Sequence, residues 1–65
     1  MGVLINGKNE EVTGLSVSQL IKSKSLDCSV LVVEYNFNVL KSESWESTYL
    51  NEGDNVELIS FVGGG

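Results

Sequence analysis

Two apolar runs, Val3-Leu4-Ile5 near one end of the sequence and Val56 to Val62 at the other, flank a single stretch with helical spacing. That arrangement leaves few folds open. The first run stops at Asn6-Gly7, the dipeptide best suited to a two-residue hairpin turn. A returning strand is therefore expected over Asn9 to Thr13, ended by Gly14. Ser16 and Gln19 stand three apart, as a capping box requires, and Val17, Leu20 and Ile21 then share one helical face, with Leu15 placed as a staple. Lys22 and Lys24 fall near the end of this short helix, where cations suit its dipole. Val30 to Tyr35 is β-branched and apolar, so it reads as a strand; placing Glu34 in water turns Leu31, Val33 and Tyr35 toward the core. Asn36-Phe37-Asn38 reads as a turn and Val39-Leu40 as a brief strand. Ser42 to Ser47, around Trp45, reads as an irregular or single-turn connection, and Leu50 as an anchor. Glu52-Gly53-Asp54 is a turn in which Gly53 can take positive φ, and Asn55 to Val62 is the last strand.

The order is strand, strand, helix, strand, short strand, strand. A hairpin and one helix must pack on one face of a mixed sheet. The first and last strands, both apolar, can be central neighbours and run parallel, because the helix between them supplies a crossover. This is the plan of an α+β fold of the β-grasp, or ubiquitin-like, type: a mixed sheet of four to five strands on one short helix. Residues 1–62 form the expected domain, and Gly63 to Gly65 an expected flexible tail ending in a free carboxylate. A chain of 65 residues buries only about 60% of its unfolded surface, so its stability margin is thin. Cys28, the only cysteine, cannot form an internal bridge, which points to a reducing compartment, the cytoplasm.

Composition excludes several functions. Histidine is absent, which removes the commonest general base and any His/Cys zinc cluster. Four lysines against nine acids give a net charge of −5, the wrong sign for nucleic acid or an anionic membrane and the right sign for a basic protein partner. No stretch approaches the ~20 apolar residues needed to span a bilayer. Met1-Gly2 leads directly into patterned sequence, unlike a signal peptide. Neither a bound cofactor nor a metal is expected. Two carboxylates, Glu52 and Asp54, make a poor cation site, and turn chemistry accounts for Asp54. Cys28 has only Lys24 as a nearby cation and reads as structural. Trp45 reads as closing the open end of a small core rather than stacking a ligand. Glu43 and Glu46 read as exposed loop acids, with pairing to partner lysines as the alternative.

The feature left over is the tail. Glycine lacks a Cβ, so Gly63, Gly64 and Gly65 can enter a channel too narrow for other residues, and three residues reach at most ~10 Å. Alternation along the last strand places Glu57, Ile59 and Phe61 on the face opposite Val56, Leu58 and Val62. With Leu4 of the neighbouring strand, Ile59 and Phe61 are expected to form an apolar patch at the root of the tail, beside Glu57, for docking a partner. A small flanking core covered by loops is the alternative.

Several segments also resemble a known family. Leu50-Asn51-Glu52-Gly53-Asp54-Asn55-Val56-Glu57 followed by Phe61-Val62-Gly63-Gly64-Gly65, together with Val33-Glu34-Tyr35-Asn36, the Trp45 segment and Ile5-Asn6-Gly7, resemble the ThiS-type sulfur carriers of thiamin biosynthesis. The resemblance covers essentially the whole chain. Where that family often has glycine or another small residue after the asparagine, this chain has Phe37. The resemblance implies that an ATP-dependent ThiF-like enzyme adenylates the Gly65 carboxylate. A sulfur donor protein then supplies sulfur to give a thiocarboxylate, and a ThiG-like thiazole synthase consumes it. The protein is then a co-substrate rather than an enzyme. A MoaD-like small subunit of molybdopterin synthase, or a ubiquitin-like modifier or interaction module, are the alternatives.

Overall fold

The computed structural model describes residues 2–61. Five strands form one mixed sheet in the order β2-β1-β5-β3-β4. They are β1 (Val3–Ile5), β2 (Lys8–Glu10), β3 (Leu31–Tyr35), β4 (Asn38–Leu40) and β5 (Asn55–Ser60); the helix α1 covers Val17–Ser23. β1 and β5 are central neighbours and run parallel, Leu4 beside Asn55 and Ile5 beside Val56. The other pairings are antiparallel. This is the β-grasp plan expected from the two apolar terminal runs.

Both hairpins turn through two residues with left-handed backbone: Asn6 and Gly7 at φ 50° and 83°, Asn36 and Phe37 at φ 50° and 73°. This is the turn geometry whose twist matches the flanking strands. Gly53 takes φ 88°, as the turn before β5 requires.

The helix begins as its sequence dictates. Ser16 Oγ accepts from the Gln19 amide at 3.1 Å, and Gln19 Oε1 accepts from the Ser16 amide at 2.9 Å. Val17, Leu20 and Ile21 then face a core completed by Val3 and Ile5 of β1, Leu31 and Val33 of β3, Val56 of β5, and Trp45 and Leu50. Each such side chain contributes about 1.5–3 kcal/mol by leaving water. Trp45 closes the end of this core, and its indole N–H donates to the Leu40 carbonyl at 3.0 Å. The connection from Trp45 to Leu50 is laced to the helix start: Val17 donates to Thr48, Ser18 to Trp45, and Leu50 to Leu15.

Four strands differ in their bounds from the sequence expectation; β4 takes in Asn38, expected in the turn, because Asn38 pairs with Tyr35. The second strand is Lys8–Glu10 and not Asn9 to Thr13. Its register with the three-residue β1 sets Glu10 against Val3, so no partner remains for Val12 and Thr13. The chain instead turns inward there, with the Leu15 amide on the Val12 carbonyl, and Val12 packs on the core. Val30 closes a 3-10 turn, Cys28–Val30, that Asp27 caps by accepting from the Ser29 amide, and β3 starts one residue later. The last strand ends at Ser60. Val62, expected to finish it, lies outside the described residues.

Among the described residues no helix is long and apolar enough to cross a membrane.

Candidate functional site

The residues expected to carry chemistry, Gly63, Gly64 and Gly65, lie outside the described residues. The site is therefore defined by the β5 segment that leads toward them and by the surfaces on either side of it.

α1 and the core cover one face of the sheet. The outer face is read from the pairing register. Paired residues point the same way, so β5 presents Asn55, Glu57 and Ile59 outward, with Phe61 next in the alternation. β3 presents Val32 and Glu34, β4 presents Val39, and β1 presents Leu4. Glu57 is exposed, Ile59 is half-buried and Phe61 is 60% exposed. Glu57 and Ile59 occupy the face expected of them, and Phe61, one residue past the strand, is exposed.

Leu4 does not join Ile59 and Phe61. It is 41% exposed and on the outer face, but it sits beside Asn55, four residues before Ile59. That separates them by roughly 13 Å along the strand. The single patch of Leu4, Ile59 and Phe61 is thus divided by the parallel register, which alternation alone does not reveal. The neighbour of Ile59 is Val32, paired with it directly, and Phe61 is tied to Val30 through its amide on the Val30 carbonyl at 2.7 Å. Val32, Ile59 and Phe61 make the apolar surface where β5 ends. The signal for Val32 was present: placing Glu34 in water places Val32 on the same side.

Between this surface and Leu4 lies an acidic row. Glu34 and Glu57 are direct cross-strand partners. Like charges so placed are mutually destabilising. The ion pair among the described residues, Lys24 with Glu10 at 2.9 Å, involves neither of them. A cation on an approaching protein would relieve their repulsion.

At the start of β5, a hydrogen-bond cluster holds the strand in place. The Asp54 carboxylate accepts from the Tyr35 hydroxyl, from Asn36 Nδ2 at 3.1 Å and from the Asn51 amide at 2.9 Å. Partial burial pushes the Asp54 carboxyl up, but the Tyr35, Asn51 and Asn36 donors together hold it below the usual carboxylate range. The Tyr35 hydroxyl is raised above its ordinary value, first by its bond to Asp54 and then by burial. Asn36 Oδ1 also accepts from the Asn55 amide at 2.8 Å. Asp54 is therefore a structural clamp on the 51–55 turn.

The remaining acids and Cys28 lie elsewhere. Glu43 is exposed in a 3-10 turn, Ser42–Ser44, Glu46 and Glu52 are exposed on loops, and Cys28 is exposed in its own 3-10 turn. Among the described residues no three metal-ligating side chains come together.

The model of the ThiS family matches residues 3–65. The chain is similar to the sulfur carrier protein ThiS of Bacillus subtilis, 31% identical over 64 residues, covering 94% of this chain and 96% of that one. It is also 29% identical over 66 residues to a thiazole synthase of Paramagnetospirillum magneticum; the match takes in all of this chain but spans only 20% of that protein. Among solved structures it resembles the thiamine biosynthesis protein ThiS from Geobacter metallireducens, with a TM-score of 0.83, 33% identity and full coverage of both chains.

Proposed function

This chain belongs to the ThiS family, and we propose that it is a sulfur carrier of thiamin biosynthesis that carries sulfur on the terminal carboxyl of Gly65. The observation that carries this reading is the family match over residues 3–65 on a β-grasp body whose last strand runs toward Gly63-Gly64-Gly65.

A carboxylate is ionised at neutral pH and is a poor electrophile. In the proposed cycle a ThiF-like enzyme joins it to the AMP moiety of ATP, with loss of pyrophosphate. Hydrosulfide released by a sulfur donor protein then attacks the acyl carbon: the carbon–sulfur bond forms, the carbon–oxygen bond breaks, and AMP departs with the former carboxyl oxygen. The product is a thiocarboxylate, which a ThiG-like thiazole synthase consumes. The likeness of this chain to part of a thiazole synthase supports that enzyme as the acceptor. ATP is bound by the activating partner, and this chain, working in the cytoplasm, is a co-substrate. It supplies position: the body docks, and the glycines deliver the acyl group at high effective concentration. The outward apolar surface of Val32, Ile59 and Phe61, with Glu57 beside it, is the docking face of this reading.

Intact-mass measurement after incubation with ATP, a ThiF-like enzyme and a sulfur source tests it. The expected result is a mass gain equal to exchange of one oxygen for sulfur, located on Gly65. Isopeptide adducts on other proteins, with no such gain, would replace sulfur carriage by protein modification.

A further inference from the structure

β5 outruns its neighbour. β1 ends at Ile5, where Asn6-Gly7 turns the chain, while β5 continues to Ser60. The Asn6 side chain extends the ladder by one step: its Oδ1 accepts from the Leu58 amide at 2.8 Å and its Nδ2 donates to the Leu58 carbonyl at 3.4 Å. The step after that is open. Since the Phe61 amide points toward β3, the peptide N–H and C=O of Ser60 point the other way, and among the described residues no group meets them. α1 is only seven residues long and does not cover this corner.

A cleft of about 360 Å³ fills the corner. Its apolar floor includes Leu58, Leu31 and Leu26, and Lys8 stands at its rim. Lys8 pairs with Ile5 and so projects to the helix side of the sheet, as Leu58 does. The other lysine of the cleft, Lys24, is engaged by Glu10. Lys8 has no ion pair among the described residues, in a chain of net charge −5.

Three unmet demands meet in one place: a strand edge, an apolar hollow and a lone cation. We infer that an extended segment of the thiazole synthase docks here by adding alongside Ser60, inserting an apolar side chain into the cleft and setting a carboxylate against Lys8. Strand addition supplies backbone bonds, and alternate residues face the same side, so the apolar and acidic residues stand two apart. The segment grips the helix side of β5 while the Val32, Ile59 and Phe61 surface is held from the other, which fixes the direction in which the chain leaves Ser60. This inference rests on thiazole synthase being the acceptor of the carried sulfur.

Calorimetric titration of the full chain into the cognate thiazole synthase is the test, with amide hydrogen exchange on the same complex. Lys8→Glu is expected to weaken binding by about tenfold or more, because it sets like charges together. Lys8→Arg should stay within about twofold of the parent, as should Lys22→Glu, an equal charge change on the exposed side of α1. The Ser60 amide should exchange more slowly in the complex than in the free chain. Equal binding of Lys8→Glu and Lys22→Glu, or an unchanged Ser60 exchange rate, overturns the inference while leaving sulfur carriage intact. No binding of the parent chain removes thiazole synthase as acceptor, and the inference with it.

Discussion

The two ends of β5 are built differently. Where the strand starts, nearly every polar group has an internal partner. The Leu4 amide donates to Asp54, the Gly53 amide to Gly2, and the Asn36 amide to Asn55. The Asp54 carboxylate gathers three further donors from Tyr35, Asn36 and Asn51. Where the strand ends, one asparagine side chain finishes the ladder, an aromatic stands 60% exposed, and a cleft opens on the helix side. The start is organised for stability and the end for contact. Separating them along one strand lets a small domain keep a firm body while leaving surface free for its partners.

The strongest way to break that division is to delete Gly65. Sulfur loading, read by intact mass, is expected to vanish, while the urea midpoint stays at the parent value, because among the described residues the buried core runs from Val3 to Val56. A truncated chain that still loads would overturn the terminal carboxyl as the reactive group.

Phe61→Ala probes the contact end next. An exposed aromatic beside an apolar neighbour is the type of anchor that dominates interfaces, so partner binding should weaken about tenfold. The folding free energy should move by no more than about 0.5 kcal/mol, since little of the ring is buried. Calorimetry and urea denaturation read the two effects separately. A large loss of stability would mean that Phe61 belongs to the body.

Asp54→Ala inverts the pattern. Three donors lose a charged acceptor, and the cost should be about 2 kcal/mol by urea denaturation, with loading of the folded protein unchanged. The pH dependence has a defined sign. The Asp54 carboxyl is held low in the folded protein, so its contribution is complete above the unfolded value of about 3.9 and is lost as pH falls through the lower folded value. The Tyr35 hydroxyl is held high, so its contribution is complete below about 10 and is lost as pH rises through the higher folded value. The difference in stability between parent and variant should therefore be flat across neutral pH and shrink in acid. A difference that grew on acidification would contradict the clamp.

The same contrast explains what the sequence made legible. Elements specified by their own residues were readable: Asn6-Gly7 for the first hairpin, Ser16 with Gln19 for the helix start, and the alternation that sends Glu57 outward. The parallel pairing of β1 with β5 was legible too, from their shared apolar character, but the register between them was not. Alternation places Leu4 on the outer face but cannot say which residue of β5 stands beside it; that depends on a parallel register fixed by how Ile5 and Val56 meet in the core. The cleft is not legible in the sequence for a similar reason, since it exists only because β5 outlasts β1 and α1 together. Asp54 was readable as a turn residue. Its grip on Tyr35, nineteen residues away, was not.

The smallest expected effect concerns the two hairpins, which share one turn geometry with different residues at the second position. Gly7 and Phe37 take φ 83° and 73°. Glycine adopts that conformation without steric cost, whereas an aromatic residue is strained by about 1 kcal/mol. The Phe37 ring is 79% exposed, so burial returns little of it. Phe37→Gly should therefore raise the stability by about 1 kcal/mol, or about 5 °C in thermal midpoint for a domain of this size. Gly7→Phe should lower it by a similar amount, because a Cβ at Gly7 meets nothing within 4 Å and only the backbone conformation is at stake. Phe37 lies at the firm end of the sheet, next to Asn36 and the Asp54 cluster, so Phe37→Gly should leave sulfur loading unchanged. If it stabilises the fold yet weakens partner binding, the strained ring is a contact residue, and the contact surface extends to the firm end of the sheet as well.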